Sequence, residues 1–298
     1  MRRFTVKPLK LVRRVRFTHD GERLALAWNS TRHIRFVRID TGEVEHFRPE
    51  TEEASPLFEF SNDGHWLAVG NNDGVCRVYK DLAPTPLAEH RAGTGSAVWR
   101  SIRGVAFTSA NGIGHWLATV GAEFWLWNPV TQQYLVAPEQ DEFQSVAFAP
   151  SGQCVYVARL QAVSRYSIRP FAEMWRVDHG VRRLFSHHYM LPTPDGRSVV
   201  VVDWREVRIL AAEDGQVVSR FQLSSDDARE IAFIPGTRLL AVAGGAPTNL
   251  RVYDTDTGRL AREYDWGIGG IHSVTFSNDG AMGAAGGDKG RVVVWDLD

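Results

Sequence analysis

Leu57-Phe58-Glu59-Phe60-Ser61-Asn62-Asp63-Gly64-His65-Trp66-Leu67-Ala68-Val69-Gly70, continuing as Asn71-Asn72-Asp73-Gly74-Val75-Cys76-Arg77-Val78-Tyr79, reads as three short strands joined by two tight turns. The segment ending at Phe60 is strand a. In Ser61-Asn62-Asp63-Gly64 the Asn and Asp side chains bond to local backbone, and the glycine admits positive φ. Trp66 to Gly70 is strand b, nearly all apolar, as expected of a strand covered on both faces. Val75 to Tyr79 alternates with a period of two and is strand c.

The same grammar runs through the whole chain. A phenylalanine closes strand a at Phe17, Phe60, Phe107, Phe148, Phe233 and Phe276, and Pro192, in Leu191-Pro192-Thr193-Pro194-Asp195-Gly196, fills the remaining slot. Successive spacings are 43, 47, 41, 44, 41 and 43 residues, room for four short strands each. Strand c closes near Ile39, Tyr79, Trp127, Tyr166, Leu210, Tyr253 and Trp295. A polar strand d follows, as in Arg259-Leu260-Ala261-Arg262-Glu263-Tyr264, with one wet face. A period of this length filled with strands marks a repeat architecture, each unit burying its faces against its neighbours. The spacing predicts one all-β domain over residues 1–298, with no helix longer than a turn or two.

The two ends of the chain carry a matched surplus and deficit. The last repeat stops at its strand c, Val292-Val293-Val294-Trp295-Asp296, and lacks a strand d of its own. A spare strand-like piece, Arg3 to Lys7, precedes the first strand a. Phe4-Thr5-Val6 is expected to supply the missing strand, so that no long unpaired edge remains.

These residues resemble the WD-repeat family, whose units fold as four-stranded blades of a β-propeller. Trp295-Asp296 and Tyr253-Asp254 stand where that family has its Trp-Asp dipeptide, and the resemblance covers the whole chain. It implies a seven-bladed β-propeller of four-stranded antiparallel blades, with the N-terminal strand closing the last blade. It also implies a noncatalytic protein- or peptide-binding scaffold that works through the face shared by the d–a and b–c loops. The chain departs from the family pattern in its buried polar residues. Asp73 fits the family's b–c turn Asp, but His33, Gly121, Pro247 and Lys289 stand at equivalent places. The pairs Gly64-His65 and Gly114-His115 open strand b rather than precede strand a. Apolar packing between blades is therefore expected to carry the stability.

Charge nearly cancels, with 34 basic against 35 acidic residues, so no global field draws in nucleic acid or an anionic membrane. The two cysteines, Cys76 and Cys154, sit in hydrophobic strands of different repeats and read as buried thiols. The N-terminus has no apolar stretch behind its basic residues, and no run approaches membrane-spanning length. A cytoplasmic protein is expected. No nucleophile elbow, phosphate-cradling loop or zinc-protease motif occurs, and no cofactor or metal is called for. The Gly-rich stretch Gly267-Ile268-Gly269-Gly270 reads as a flexible loop. The alternative from another class is a propeller hydrolase or lyase with polar groups at its central channel, since fold alone does not decide function.

Four residues before each strand a anchor stand Arg13, Pro56, Arg103, Gln144, His188, Arg229 and His272. The resemblance puts this offset near the entrance to strand a on the d–a/b–c face. There the arginines and histidines would form a positive collar suited to an acidic peptide or phosphate. The competing reading is of separate solvated side chains, or pairs with acids such as Glu53, Glu142, Asp203 and Asp227. Trp99 and Trp266 fall in d–a connections and Trp204 in a b–c turn, as interface anchors or as rings tucked against a neighbouring blade. The longest interval, Phe60 to Phe107, holds Pro84, Pro86, Gly93 and Gly95 and is the expected place for partner-specific contact.

Overall fold

In the computed structural model the described residues are 1–6, 10–28, 32–49, 57–71, 74–91, 101–108, 115–136, 141–178, 188–203, 205–224, 228–244 and 249–297, leaving aside the side chains at 136, 188, 189 and 249. The strands form seven four-stranded antiparallel sheets, the blades of a seven-bladed β-propeller. Blade 1 is β2 (Val12–Phe17), β3 (Arg23–Trp28), β4 (Ile34–Arg38) and β5 (Val44–Phe47). Blade 2 is β6 (Leu57–Phe60), β7 (Trp66–Gly70), β8 (Val75–Lys80) and β9 (Ala88–Arg91). Blade 3 is β10 (Gly104–Phe107), β11 (Leu117–Val120), β12 (Phe124–Asn128) and β13 (Gln133–Val136). Blade 4 is β14 (Phe143–Phe148), β15 (Cys154–Arg159), β16 (Ala162–Ile168) and β17 (Phe171–Asp178). Blade 5 is β18 (His188–Pro192), β19 (Ser198–Asp203), β20 (Glu206–Ala211) and β21 (Val217–Gln222). Blade 6 is β22 (Ala228–Phe233), β23 (Leu239–Gly244), β24 (Asn249–Asp254) and β25 (Leu260–Asp265). Blade 7 joins β26 (Ser273–Phe276), β27 (Met282–Gly286) and β28 (Arg291–Asp296) to β1 (Arg2–Thr5). Every strand a ends on the Phe or Pro that marks its repeat. Among the described residues the helical content is one 3-10 turn, Asp288–Gly290.

The strand that completes blade 7 comes from the N-terminus, as the surplus and deficit require. Arg2 lies opposite Val294 and Phe4 opposite Val292, and the Val6 N–H donates to the Gly290 carbonyl at 2.9 Å. The strand begins one residue earlier than the Arg3 to Lys7 segment suggests and covers Arg2–Thr5.

A repeated hydrogen-bond device sets the a–b turns. Ser61 Oγ donates to Asp63 at 2.5 Å, Asp63 accepts the His65 N–H at 3.1 Å, and Ser61 Oγ accepts the Trp66 N–H at 2.9 Å. Thr18 with Asp20, Thr193 with Asp195 and Ser277 with Asp279 repeat the hydroxyl-to-carboxylate bond at 2.5, 2.6 and 2.6 Å. The glycine that follows takes positive φ, 74° at Gly64, which an L side chain tolerates poorly.

The chain folds into two compact units: Met1–Pro56, Trp204–Val207 and Arg220–Asp298 in one, Leu57–Asp203 with Arg208–Ser219 in the other. In the first, one core joins Val12, Val15, Leu24, Leu26 and Trp28 of blade 1 to Ala284, Val292 and Val294 of blade 7. A second joins blades 6 and 7 around Leu250, Val252, Ile271 and Trp295. In the second unit, blades 2 and 3 share Ala68, Val78, Leu117 and Trp127, while blades 3 and 4 share Phe124, Phe143, Val155 and Tyr166. Each core lies between successive blades, as expected of units that cannot bury both faces alone. Cys76 and Cys154 are buried free thiols in β8 and β15.

Blade 4 adds a buried polar network that the motif reading misses. Arg159, 1% exposed, donates to Ser164 Oγ at 2.7 Å and to Tyr166 Oη at 2.6 Å, and lies 3.3 Å from Glu173. Its guanidinium also sits 5.3 Å from the Phe143 ring centroid. Burying a guanidinium is costly unless its charge and donors are met; here the hydroxyls and Glu173 meet the two Nη groups, and Asp141 lies 3.5 Å from Nε.

Candidate functional site

The offset that selects the collar falls on the first part of strand a or just ahead of it. Arg13, Gln144 and Arg229 lie on β2, β14 and β22, His188 opens β18, and Arg103 and His272 immediately precede β10 and β26. Of these, the first unit brings Arg229, His272 and Arg13 into one electrostatic group. Arg229 Nη1 lies 2.8 Å from His272 Nδ1, and His272 Nε2 lies 3.0 Å from Asp288 Oδ1. A guanidinium only donates, so the imidazole nitrogen it meets accepts, and the other ring N–H donates to Asp288.

Burial, followed by the charges of Arg229 and Arg13 against the pull of Asp288, lowers the His272 pKa, so the ring is neutral near pH 7. Burial opposes ionisation of Asp288, but the bonds from His272 and the Gly270 N–H outweigh it and hold the carboxyl below its ordinary range. The Gly270 N–H donates to Asp288 Oδ2 at 2.8 Å. The Gly267–Gly270 stretch is therefore pinned at this point rather than being simply a flexible connection. A Cβ at Gly269 would stand 2.5 Å from Asp288 Oδ2, which is why glycine occupies this position with φ at 83°.

One residue further along strand a lies a second cluster. The Glu230 carboxylate accepts from the Ser273 hydroxyl, from the Val274 N–H at 2.9 Å and from Arg16 Nη2 at 2.7 Å. Ser273 Oγ in turn accepts the Val15 N–H at 2.9 Å. Glu230 thus ties the strands a of blades 6, 7 and 1 together. A reading three rather than four residues before each anchor would have picked out Arg14, Glu230 and Ser273. Asp288 lies in the b–c turn of blade 7, which a count back from the strand a anchors does not reach.

The remaining collar residues behave differently. In the second unit Arg103 lies 3.8 Å from Glu142, which is the pairing reading rather than a bare cation, and Gln144 is half-buried on β14. The side chain of His188, and Trp99, Trp204, Pro56 and Asp73, lie outside the described residues. Trp266 takes the tucked course. It is 8% exposed, with its ring 4.5 Å from Trp295 and stacked on Tyr264 at 5.3 Å, so it packs in the core shared by blades 6 and 7.

His272 is held between a guanidinium and a carboxylate, and the Ser273 hydroxyl donates to the Glu230 carboxylate but is fully buried, closed to a substrate in this conformation. Among the described residues no group of His, Cys, Asp and Glu could hold a metal ion, and no helix is long and apolar enough to cross a membrane.

The family model for the WD domain, G-beta repeat, matches residues 57–80 and 266–296. A curated relative, the serine-threonine kinase receptor-associated protein of Gallus gallus, is 29% identical over 102 residues, which is 34% of this chain and 29% of the relative. The chain thus matches less than a third of that relative's length. Among solved structures, the β-propeller domain of Myceliophteria thermophila Cps50 (Swd1) superposes with a TM-score of 0.81 at 14% identity, covering 99% of this chain and 98% of that one. The matched stretches are β6 to β8 of blade 2 and β26 to β28 of blade 7, so the chain is a seven-bladed β-propeller in which two blades are similar to the WD repeat.

Proposed function

We propose that the protein is a noncatalytic scaffold, a single propeller domain over residues 1–298, that binds an acidic protein segment through the d–a/b–c loop face. WD40 propellers generally serve as binding scaffolds. The observation that carries the reading here is the grouping of Arg229, Arg13 and the neutral His272 at the strand a entrances of blades 6, 1 and 7. Arg13 is exposed, and its fork is suited to gripping a carboxylate in two places. Arg103, Gln144 and His188, at the same sequence offset, with Trp99, Trp204 and Trp266, are the other residues we propose as candidates for partner contact. Two buried thiols without a disulfide suit a reducing compartment such as the cytoplasm.

The test compares wild-type protein with the Arg13→Ala, Arg229→Ala double variant. The probe is an immobilised peptide pool with glutamate and aspartate at alternate positions and random residues between, beside a matched pool with serine in their place. Wild type is expected to prefer the acidic pool, and that preference to fall about tenfold or more in the variant, each lost charge-assisted bond contributing roughly 1.5–3 kcal/mol. An unchanged preference in a variant that keeps the parental Tm overturns the assignment to this group.

A further inference from the structure

We propose that one face of β4 and β5 in blade 1, carrying His33, Arg35, His46 and Arg48, binds the phosphate monoester of a phosphorylated peptide. The register puts Arg35 directly opposite His46, and Ile34 opposite Phe47, so His33 and Arg48 fall opposite each other one step further on. Residues two apart on a strand share a face, so the four basic side chains stand as two adjacent cross-strand pairs. The His33 and His46 ring centroids are 6.4 Å apart, and the Arg35 guanidinium lies 5.1 Å from the Trp28 ring centroid. This cation–π contact with Trp28 helps to hold the guanidinium in place. His46 and Arg48 are exposed.

Blades 2 and 6 treat the corresponding arginines otherwise. Opposite Arg77 in blade 2 stands Glu89, with Nε to Oε2 at 2.9 Å, and opposite Arg251 in blade 6 stands Glu263 at 2.8 Å. Blade 1 sets a histidine against Arg35 instead, and among the described residues no acid pairs with any of the four. Among the described residues the arginines of this face thus lack the cross-strand carboxylate that meets Arg77 and Arg251. Burial, and after it the charges of Arg48, His46 and Arg35, lower the His33 pKa, so the ring sits in a positive surrounding.

An incoming anion would complete the arrangement. A phosphate monoester brings a charge near −2 and three acceptor oxygens, enough for two arginine forks and imidazole donors, whereas one carboxylate serves one fork. The patch spans only two strands on a chain of formal net charge −1, which lacks the broad field that would hold a membrane or a nucleic acid. His33 precedes strand c and Arg48 follows strand d, so the patch stands at the d–a/b–c end of blade 1. It rests on the reading that this end of the protein binds peptide, but uses none of the Arg13, Arg229 and His272 group.

The experiment uses the full chain and two immobilised peptide pools of random sequence, one with a central phosphoserine and one with serine. Vesicles of phosphatidylcholine with a phosphatidylinositol phosphate form a third arm. The variant is His46→Glu, which restores the Arg–Glu pattern of blades 2 and 6 and so is expected to keep or raise the Tm. Wild type should prefer the phosphoserine pool, and His46→Glu should lose that preference by about tenfold or more, with Arg48→Ala losing it in part. The Arg13→Ala, Arg229→Ala protein should keep it, which separates this site from the acidic-peptide reading. Equal retention on both pools, an undiminished preference in folded His46→Glu, or binding confined to the vesicles overturns the proposal.

Discussion

At the a–b turn of blade 2, every bond that shapes the backbone joins residues two to five positions apart: Ser61 to Asp63, Asp63 to His65, Ser61 to Trp66. At the other end of blade 7, Asp288 reaches 18 residues to Gly270, Glu230 reaches 43 to Ser273, and Ser273 reaches 258 to Val15. The first end is assembled from one stretch of chain and can recur unchanged in repeat after repeat. The second is assembled from residues of several repeats, so it need not recur from blade to blade.

The longest-range element offers the largest expected effect. β1 supplies four residues of ladder to β28, and Val6 beyond it is 7% exposed in the core shared with blade 1. Deleting residues 1–9 bares the edge of β28 and empties that part of the core. Loss of one buried valine and the cover it gives costs roughly 2–3 kcal/mol, and the unmet backbone groups add to it. Denaturant midpoints of the truncated and intact proteins measure this, and equal midpoints would mean that the blade 7 ladder does not depend on β1.

Two glycines with the same backbone hand separate the ends more finely. Gly21, φ 72°, lies in the a–b turn of blade 1 with open space where a Cβ would go, while Gly269, φ 83°, has Asp288 in that space. Gly21→Ala should cost about 1–2 kcal/mol, the price of a left-handed backbone for an L residue. Gly269→Ala carries the same cost and must also displace Asp288 from Gly270 and His272, so about 2–4 kcal/mol is expected. The readout is the difference between the two Tm shifts. If the shifts are equal, the Asp288 contact contributes nothing to the loop.

This contrast also explains what the sequence could disclose. The anchors at Phe17, Phe60, Phe107, Phe148, Pro192, Phe233 and Phe276 each close strand a because they belong to the local turn, and the blade count follows from them. The missing strand of blade 7 was legible as well, since a lone strand at one end and a deficit at the other have one economical solution. The collar was only half legible. Counting back from an anchor locates a backbone level, but not which way a side chain points or which acid meets it. Arg229 and His272 converge beside Asp288 of the blade 7 b–c turn, while Arg103 meets Glu142 instead. Trp266 sits in a connection by sequence and in the core by structure, because Trp295 and Tyr264 form a platform beneath it. The face of His33, Arg35, His46 and Arg48 became visible only when the register of β4 and β5 put the pairs side by side.

The smallest expected effect distinguishes the ends by the pH at which each weakens. Burial opposes ionisation of Asp63, but the bonds from the Ser61 hydroxyl and the His65 N–H prevail and hold its carboxyl below the usual carboxylate range. A carboxyl whose folded pKa is depressed gives stability that is present above its unfolded pKa and lost as pH falls through the folded one. Asp63→Asn should therefore lower the Tm slightly at pH 7, by about 2 °C or less, and the gap to wild type should close below about pH 4. His272 is depressed from 6.5, chiefly by burial, so the folded protein resists its protonation. Its neutral form is tolerated at no cost above pH 6.5, and stability is lost as pH falls below that value, some two units before the turn carboxylates begin to protonate. In His272→Gln that early loss should be reduced. His90, whose imidazole burial pushes down to about 4, is present in both variants and in wild type, so its contribution cancels in the comparison. Tm measured from pH 7.5 to pH 3 should give two separate windows of difference, the His272 one at higher pH. If the two variants instead diverge from wild type over the same window, the electrostatic distinction between the repeated turns and the assembled end is wrong.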